Sequence, residues 1–325
     1  MVRLVGEREP ETARAALEGL AKYERAARDG KREPKPIAAQ VGQAVLRDHG
    51  GSGPPVILVP SLINPPHVLD LDEDVSLASA VARMGRRSLL LDWGAARDRA
   101  DLDIGGHIKN LLVPLLTELD EPPALVGYCL GGTMTIAAAN LLPVDRVATV
   151  AAPWRFSDYP EDSRRSLLCL WGHARQAAAS LKALPMEVLQ AAFWSLDPSR
   201  TVSKFAGFSR LEEEGAEARR FVVLEDWANE GEALPLPAAR QLMEDFFGAD
   251  LPGKGEWLIG ERRMTDTIPV PLLNCTASRD RITPAVSAPS GRREDIPAGH
   301  VGMVVGSARH HLHDSLRAFL DPACR

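Results

Sequence analysis

Cysteine is scarce in this chain. Four occur in 325 residues, at Cys129, Cys169, Cys275 and Cys324, with no CxxC spacing and no matching histidine pattern. A disulfide framework and a zinc site are therefore excluded as organising devices, and a reducing compartment is the default. Long apolar runs are missing too. No stretch reaches the roughly 18 residues that a transmembrane helix needs. Met1 to Pro10 carries Arg3, Glu7, Arg8 and Glu9 and lacks the apolar core of a signal peptide. The chain reads as cytoplasmic, although an amphipathic surface helix would still suit a lipid or polymer surface. An excess of basic residues is also absent. The formal net charge is −6 and the pI about 5.8, which argues against nucleic acid as partner. Neither internal repeats nor low-complexity tracts occur.

What is present is an ordinary globular composition, 45% hydrophobic and 25% charged. A chain this long buries roughly three quarters of its unfolded surface and needs no staple. Residues 10–29 read as a polar, Ala-rich helix, followed by breakers from Gly30 to Pro36 and a weak strand at Gln43 to Arg47. Val56 to Val59 is a short apolar run between prolines, as expected of a strand buried on both faces. Helical patterns at Asp74 to Met84, Ile104 to Leu119 and Thr133 to Leu142 alternate with short strands at Ser88 to Leu91, Ala124 to Val126 and Val147 to Val150. Such alternation predicts a mostly parallel, doubly wound α/β sheet.

The alternation stops near Trp154 and resumes near Met264. A strand then reads at Val270 to Cys275, another near Glu294 to Pro297, and a final helix from about Val304 to Leu320. The expected organisation is an N-terminal helical segment and lead-in strand (1–50), an α/β core (51–153 and 266–325), and a largely helical cap inserted at 154–265. Five of the six tryptophans and seven of the eight phenylalanines fall in the insertion. Large side chains there serve either as the core of a small helical subdomain or as the lining of an apolar tunnel over the site.

The strongest chemical signal is Gly127-Tyr128-Cys129-Leu130-Gly131-Gly132, between a strand and a helix. That context defines a nucleophile elbow, here with Cys in place of the more usual Ser. The flanking glycines let strand and helix approach closely around a strained nucleophile. The helix N-terminus beyond it favours a thiolate. A structural cysteine is the plain alternative for Cys129, and the strand–turn–helix context weighs against it. In this fold the acid and then the histidine follow in chain order. Asp280, in Ser278 to Ile282, and His300, in Ala298 to Gly302, both follow strands and complete a Cys–His–Asp triad. The backbone amide of Leu130 is placed for an oxyanion hole, with a second amide from Leu62 or Ile63 in the loop Pro60 to Asn64. Asn64 is expected to fix that loop. His310, His311 and His313, and the pair Cys169 and His173, lack partners at ligand spacing, so no metal site is read from them. Cys275 reads as core.

The residues taken together resemble the polyhydroxyalkanoate synthase family of the α/β-hydrolase superfamily. The resemblance includes Gly127 to Thr133, Val59-Pro60-Ser61-Leu62-Ile63-Asn64 with Leu69-Asp70-Leu71, Asp280-Arg281-Ile282-Thr283-Pro284, and Gly299-His300-Val301 with Val304-Val305. It implies the α/β-hydrolase fold and a Cys–His–Asp acyltransferase acting on (R)-3-hydroxyacyl-CoA or a related ester, without metal or organic cofactor. It also points to a polyester granule surface, and to a homodimer or a partner subunit. Two features depart from the family: Trp93-Gly94-Ala95-Ala96 replaces its Trp-Arg-Asn-Pro, and only 20 residues separate Asp280 from His300. The connecting helix is expected to shrink to a turn near Pro284 to Pro289. The alternatives are a thioesterase or esterase of the dienelactone-hydrolase kind, which shares this elbow, or of the polyester-depolymerase kind, and a non-catalytic granule-binding or partner subunit.

Overall fold

The computed structural model describes residues 9–28, 33–196 and 198–321, apart from the side chains of residues 192–201. The charged start at residues 1–8, residues 29–32, Cys324 and the side chains of Phe193 and Trp194 lie outside that description.

Among the described residues eight strands form the main sheet, in the order β1 (Ile37–Val41), β2 (Ala44–Asp48), β4 (Arg87–Asp92), β3 (Pro55–Val59), β5 (Ala124–Tyr128), β6 (Val147–Val150), β11 (Leu272–Ala277) and β12 (Arg292–Ile296); β7 (Ala183–Leu184) with β8 (Leu234–Pro235), and β9 (Leu258–Ile259) with β10 (Arg262–Arg263), form two small ladders outside it. Strands β3 (Pro55–Val59) and β5 (Ala124–Tyr128) lie at its centre and are buried along their whole length. They pair in parallel from Val56 opposite Ala124 to Val59 opposite Gly127. On one side follow β4 (Arg87–Asp92), parallel to β3, and then β2 (Ala44–Asp48), antiparallel to β4. On the other side follow β6 (Val147–Val150), β11 (Leu272–Ala277) and β12 (Arg292–Ile296), all parallel. Continuous apolar strands suit this position, because helices cover both faces of a parallel sheet. The register brings the ends of β3, β5, β11 and β12 to one carboxyl edge. Loops carrying Ile63, Cys129, Asp280 and His300 all leave from that edge.

Several elements differ from the sequence-based expectation. An antiparallel strand, β1 (Ile37–Val41), precedes β2, in a stretch where no element was expected. Gly42 makes the hairpin turn at φ +57°. The first core helix, α2 (Leu77–Arg83), begins three residues later than its apolar pattern. Asp72 Oδ1 accepts the amides of Asp74 and Val75, and Ser76 Oγ accepts that of Ser79, so the cap falls at Ser76. The helical pattern from Ile104 is α3 (Ile104–His107), continuing through a π-helical turn over Ile108–Leu112, and the elbow helix α4 (Leu130–Leu141) begins directly after Cys129 rather than at Thr133. The last helical stretch is two helices, α10 (Gly302–Val305) and α11 (Arg309–Leu320), interrupted at Gly306. Between β11 and β12 the expectation holds: the crossover helix is reduced to a single 3-10 turn, Ala285–Ser287.

The chain leaves the sheet after β6 and returns at β11. In between run α5 (Glu161–Leu181), α6 (Met186–Leu196), α7 (Pro198–Phe208), α8 (Ala216–Asn229) and α9 (Leu236–Arg240), the last continuing as a π-helical turn over Gln241–Gly248. Trp154, Phe156, Phe246 and Trp257 from this stretch are fully buried and belong to the same apolar cluster as β3, β4 and α4. A smaller cluster, with Phe208 stacked on Phe221 at 4.2 Å, lies where the N-terminal helix α1 (Pro10–Arg25) crosses α7. No helix among the described residues is long and apolar enough to cross a membrane.

Candidate active site

Cys129 stands between β5 and α4 with φ +56° and ψ −129°, a conformation that costs a non-glycine residue of order 1–3 kcal/mol. Its surroundings enforce it. Its amide donates to Val150 O at 2.9 Å and its carbonyl accepts from Gly132 N at 2.9 Å. A Cβ on Gly131 would lie 2.1 Å from Val59 O, and one on Gly132 would lie 2.3 Å from Ala152 Cβ. The helix therefore sits against the sheet only because those positions have no side chain. Leu130 is the first residue of the helix, so its amide has no intrahelical acceptor, and the adjoining Cys129 is half-buried.

Asp280 follows β11 and His300 follows β12, and the two meet. His300 Nδ1 donates to Asp280 Oδ2 at 2.7 Å, with the Asp280 side chain wholly buried. Asp280 Oδ1 accepts the amides of Ile282 at 2.8 Å and Thr283 at 2.9 Å, which fixes the carboxylate. Burial by itself would lower the pKa of His300. The charge of Asp280, the Cys129 sulfur and hydrogen bonds to both residues outweigh it and push the value up to about 10. With Nδ1 engaged by Asp280, Nε2 is the nitrogen left for Cys129. Tyr128 closes the back of the site. Its ring lies 5.2 Å from that of His300, and its hydroxyl donates to His300 O at 3.5 Å. Burial raises the Tyr128 phenol well above its ordinary value, so it stays protonated.

Two cavities open on Cys129. The first, about 500 Å³, is mostly apolar, lined by Phe156, Tyr159, Leu167, Leu170, Met243 and Phe247. The second, about 430 Å³, is also mostly apolar and carries His300 with Arg279, Lys204 and Glu225, while Asp162 and Arg164 stand at the first. Ile63 and Arg281 line both. The segment between β6 and β11 supplies a wall of each.

The sequence-predicted residues thus divide. Cys129, Leu130, Ile63, Asp280 and His300 converge. Leu62 is buried and lines neither cavity, while the Ile63 amide lies 3.3 Å from Ser61 Oγ. Asn64 does not fix the loop as expected. Ser61 does so by reaching two residues ahead, and Asn64 lines the second cavity. Cys275 lies inside β11, where burial pushes its thiol up to about 12. Cys169 is exposed on α5. His310 bonds Ser307 O, and His313 is held down at about 4, chiefly by burial. Sequence reasoning missed Ser61, Tyr128, Tyr159 and Arg281. Ser61, Tyr128 and Arg281 carried a signal as members of the loop, elbow and acid motifs, whereas Tyr159 carried none.

The strand order, the elbow and the placement of acid and histidine define an α/β-hydrolase fold. Comparison with solved structures agrees. Epoxide hydrolase A from Mycobacterium thermoresistibile matches with a TM-score of 0.56 at 18% identity, covering 89% of this chain and 98% of that one. No family model matches the sequence. Among curated proteins, the chain is similar to two proteins named poly(3-hydroxyalkanoate) polymerase subunit PhaC. That of Synechocystis is 26% identical over 296 residues, covering 82% of this chain and 77% of the relative. That of Haloferax mediterranei is 25% identical over 280 residues, covering 79% of this chain and 56% of the relative. The chain thus spans little more than half the length of the Haloferax protein.

Proposed function

We propose that the chain is an acyltransferase of the polyhydroxyalkanoate-synthase kind, with Cys129 as nucleophile, His300 as base and acid, and Asp280 as the residue that orients His300. The observation that carries this reading is the 2.7 Å bond from His300 Nδ1 to Asp280 beside the elbow cysteine. The similarity to proteins named polymerase subunits supports it.

In the first half-reaction the proton shared by Cys129 and His300 sits on His300, and Sγ attacks the thioester carbonyl of a 3-hydroxyacyl-CoA. The oxyanion sits between the amides of Leu130 and of Leu62 or Ile63. The C–S bond to the carrier breaks, and the proton on His300 passes to the departing thiolate. One thioester replaces another, so acyl-transfer potential is retained. In the second half-reaction a hydroxyl attacks the acyl-Cys129, His300 takes its proton, and Sγ leaves and is reprotonated. A hydroxyacyl acceptor gives a polyester; water gives a free acid. The triad serves both outcomes, and exclusion of water from the site selects between them. Both cavities are mostly apolar, so either suits the acyl chain, and Lys204 and Arg279 in the second suit the polar carrier.

The test is to incubate the pure protein with 3-hydroxybutyryl-CoA, follow CoA release, and analyse products and peptides by mass spectrometry. An acyl adduct on the Cys129 peptide and oligomeric product are expected. Free acid alone would make the protein a thioesterase. An adduct elsewhere, or undiminished turnover by Cys129→Ala, would overturn the mechanism.

A further inference from the structure

The loop from Pro60 to Pro65 carries the second oxyanion amide of the proposed mechanism, yet it is poorly held by its own backbone. Prolines at both ends lack N–H groups. Among the described residues, no backbone–backbone hydrogen bond outside the helix and strand ladders involves positions 60 to 65. Ser61 Oγ to Ile63 N is an internal tie only. Two indoles supply the rest. Trp93 Nε1 donates to Pro60 O at 3.2 Å, and Trp227 Nε1 donates to Pro65 O at 2.9 Å. Both rings are buried. Trp93 follows β4 in the sheet, whereas Trp227 belongs to α8 in the segment between β6 and β11.

Trp93 is itself locked. Gly94 turns the chain at φ +72°, where a Cβ would meet Gln43 O at 2.6 Å. The His107 ring stands edge-on to the indole, centroids 5.8 Å apart. His107 Nδ1 must donate, because it lies 2.7 Å from the Asp103 carbonyl. Its Nε2 must accept, because Arg99 Nη1 lies 3.0 Å away. The imidazole is therefore neutral in one tautomer, in keeping with burial pulling it down to about 4. Arg99 in turn lies 3.9 Å from Glu232, whose carboxylate also accepts the Ala96 amide at 2.6 Å. Thus the chain just after Trp93 is joined to the segment that carries Trp227.

We propose that Trp93 and Trp227 are positioning residues, whose indole N–H groups pin the two ends of the 60–65 loop and so set the loop amide against that of Leu130. The inference rests on the proposed mechanism for its catalytic consequence. The pinning itself is independent of that mechanism. It gives these indoles a role that a merely structural aromatic lacks, since a misplaced oxyanion donor slows acylation without altering the nucleophile.

The test replaces each tryptophan by phenylalanine and, separately, by benzothienylalanine, which keeps the bicyclic shape and loses the N–H. Amide hydrogen exchange at residues 61–64 should speed up in every variant, while exchange in β5 and α4 stays as in wild type. Acylation of Cys129 by 3-hydroxybutyryl-CoA in single turnover should slow on the order of tenfold, short of the 10²–10³-fold loss on deleting an oxyanion donor. Alkylation of Cys129 by iodoacetamide, which needs no oxyanion hole, should keep its rate. Unchanged exchange at 61–64 in the benzothienylalanine variants would overturn the proposal, as would acylation and alkylation slowing together. If wild type formed no adduct at all, the proposed function would fail by itself, and the exchange experiment would still decide whether the indoles hold the loop.

Discussion

Cys129 shows what the elbow demands of a single residue. Its φ of +56° is tolerated by glycine and strains any residue with a Cβ. Cys129→Gly should therefore be more stable than Cys129→Ala by about 1 kcal/mol, the reverse of the usual order, while both lose acyl transfer. Chemical denaturation of the two variants checks this; Ala more stable than Gly would mean the strain is absent. His300 carries a pH signature. Its folded-state pKa of about 10 lies above its ordinary value, so its contribution to stability is complete below about pH 6.5 and is lost as pH rises through about 10. The stability gap between wild type and His300→Gln should hold steady from pH 5 to near 7 and shrink towards pH 10. A gap that widened with pH would mean that His300 is not held protonated by Asp280 and Cys129. In activity, His300→Ala should lose the 10²–10⁴-fold that a positioned base supplies, and Asp280→Asn should also be severe. Near-normal turnover in either variant would assign its role to another residue.

At the scale of elements, the close approach of α4 to β3 depends on Gly131. Gly131→Ala forces a Cβ against the Val59 and Pro60 carbonyls and should cost at least about 1–3 kcal/mol. Gly172, exposed within α5 where an added Cβ would meet nothing within 4 Å, is the internal control: Gly172→Ala should stabilise by about 0.5–1 kcal/mol. Equal thermal shifts in the two variants would refute the packing argument. The elements around the elbow were legible because buried parallel strands such as Val56 to Val59 are short apolar runs and because glycine spacing marks close approach. Strand β1 was not legible. It lies at the sheet edge with Ile37 exposed, so its alternation says little, and only pairing with β2 makes it a strand. The acid and histidine could be picked out by chain order. The indoles of Trp93 and Trp227 could not, since their partners lie 33 and 162 positions away in the chain and carry no side-chain signal.

For the whole molecule, the segment between β6 and β11 has two kinds of large side chain. Phe246 and Trp257 pack into the main apolar cluster, whereas Leu170 and Phe247 line the cavity that opens on Cys129. Substitutions should sort accordingly. Phe246→Ala and Trp257→Ala should each cost about 3–5 kcal/mol, read by denaturation, with the ratio of hydrolysis to transfer unchanged in the folded fraction. Leu170→Ala and Phe247→Leu should alter acyl chain-length preference or raise free-acid product, because a wider or wetter cavity admits water to the acyl-enzyme. This segment should also be the first cut in limited proteolysis, and cutting should slow when an acyl-CoA is present. Measured together, product ratio and stability separate the two groups. If Leu170 and Phe247 variants lost only stability, the segment would be scaffold, and control over the acceptor would have to come from the core loops at the carboxyl edge of the sheet.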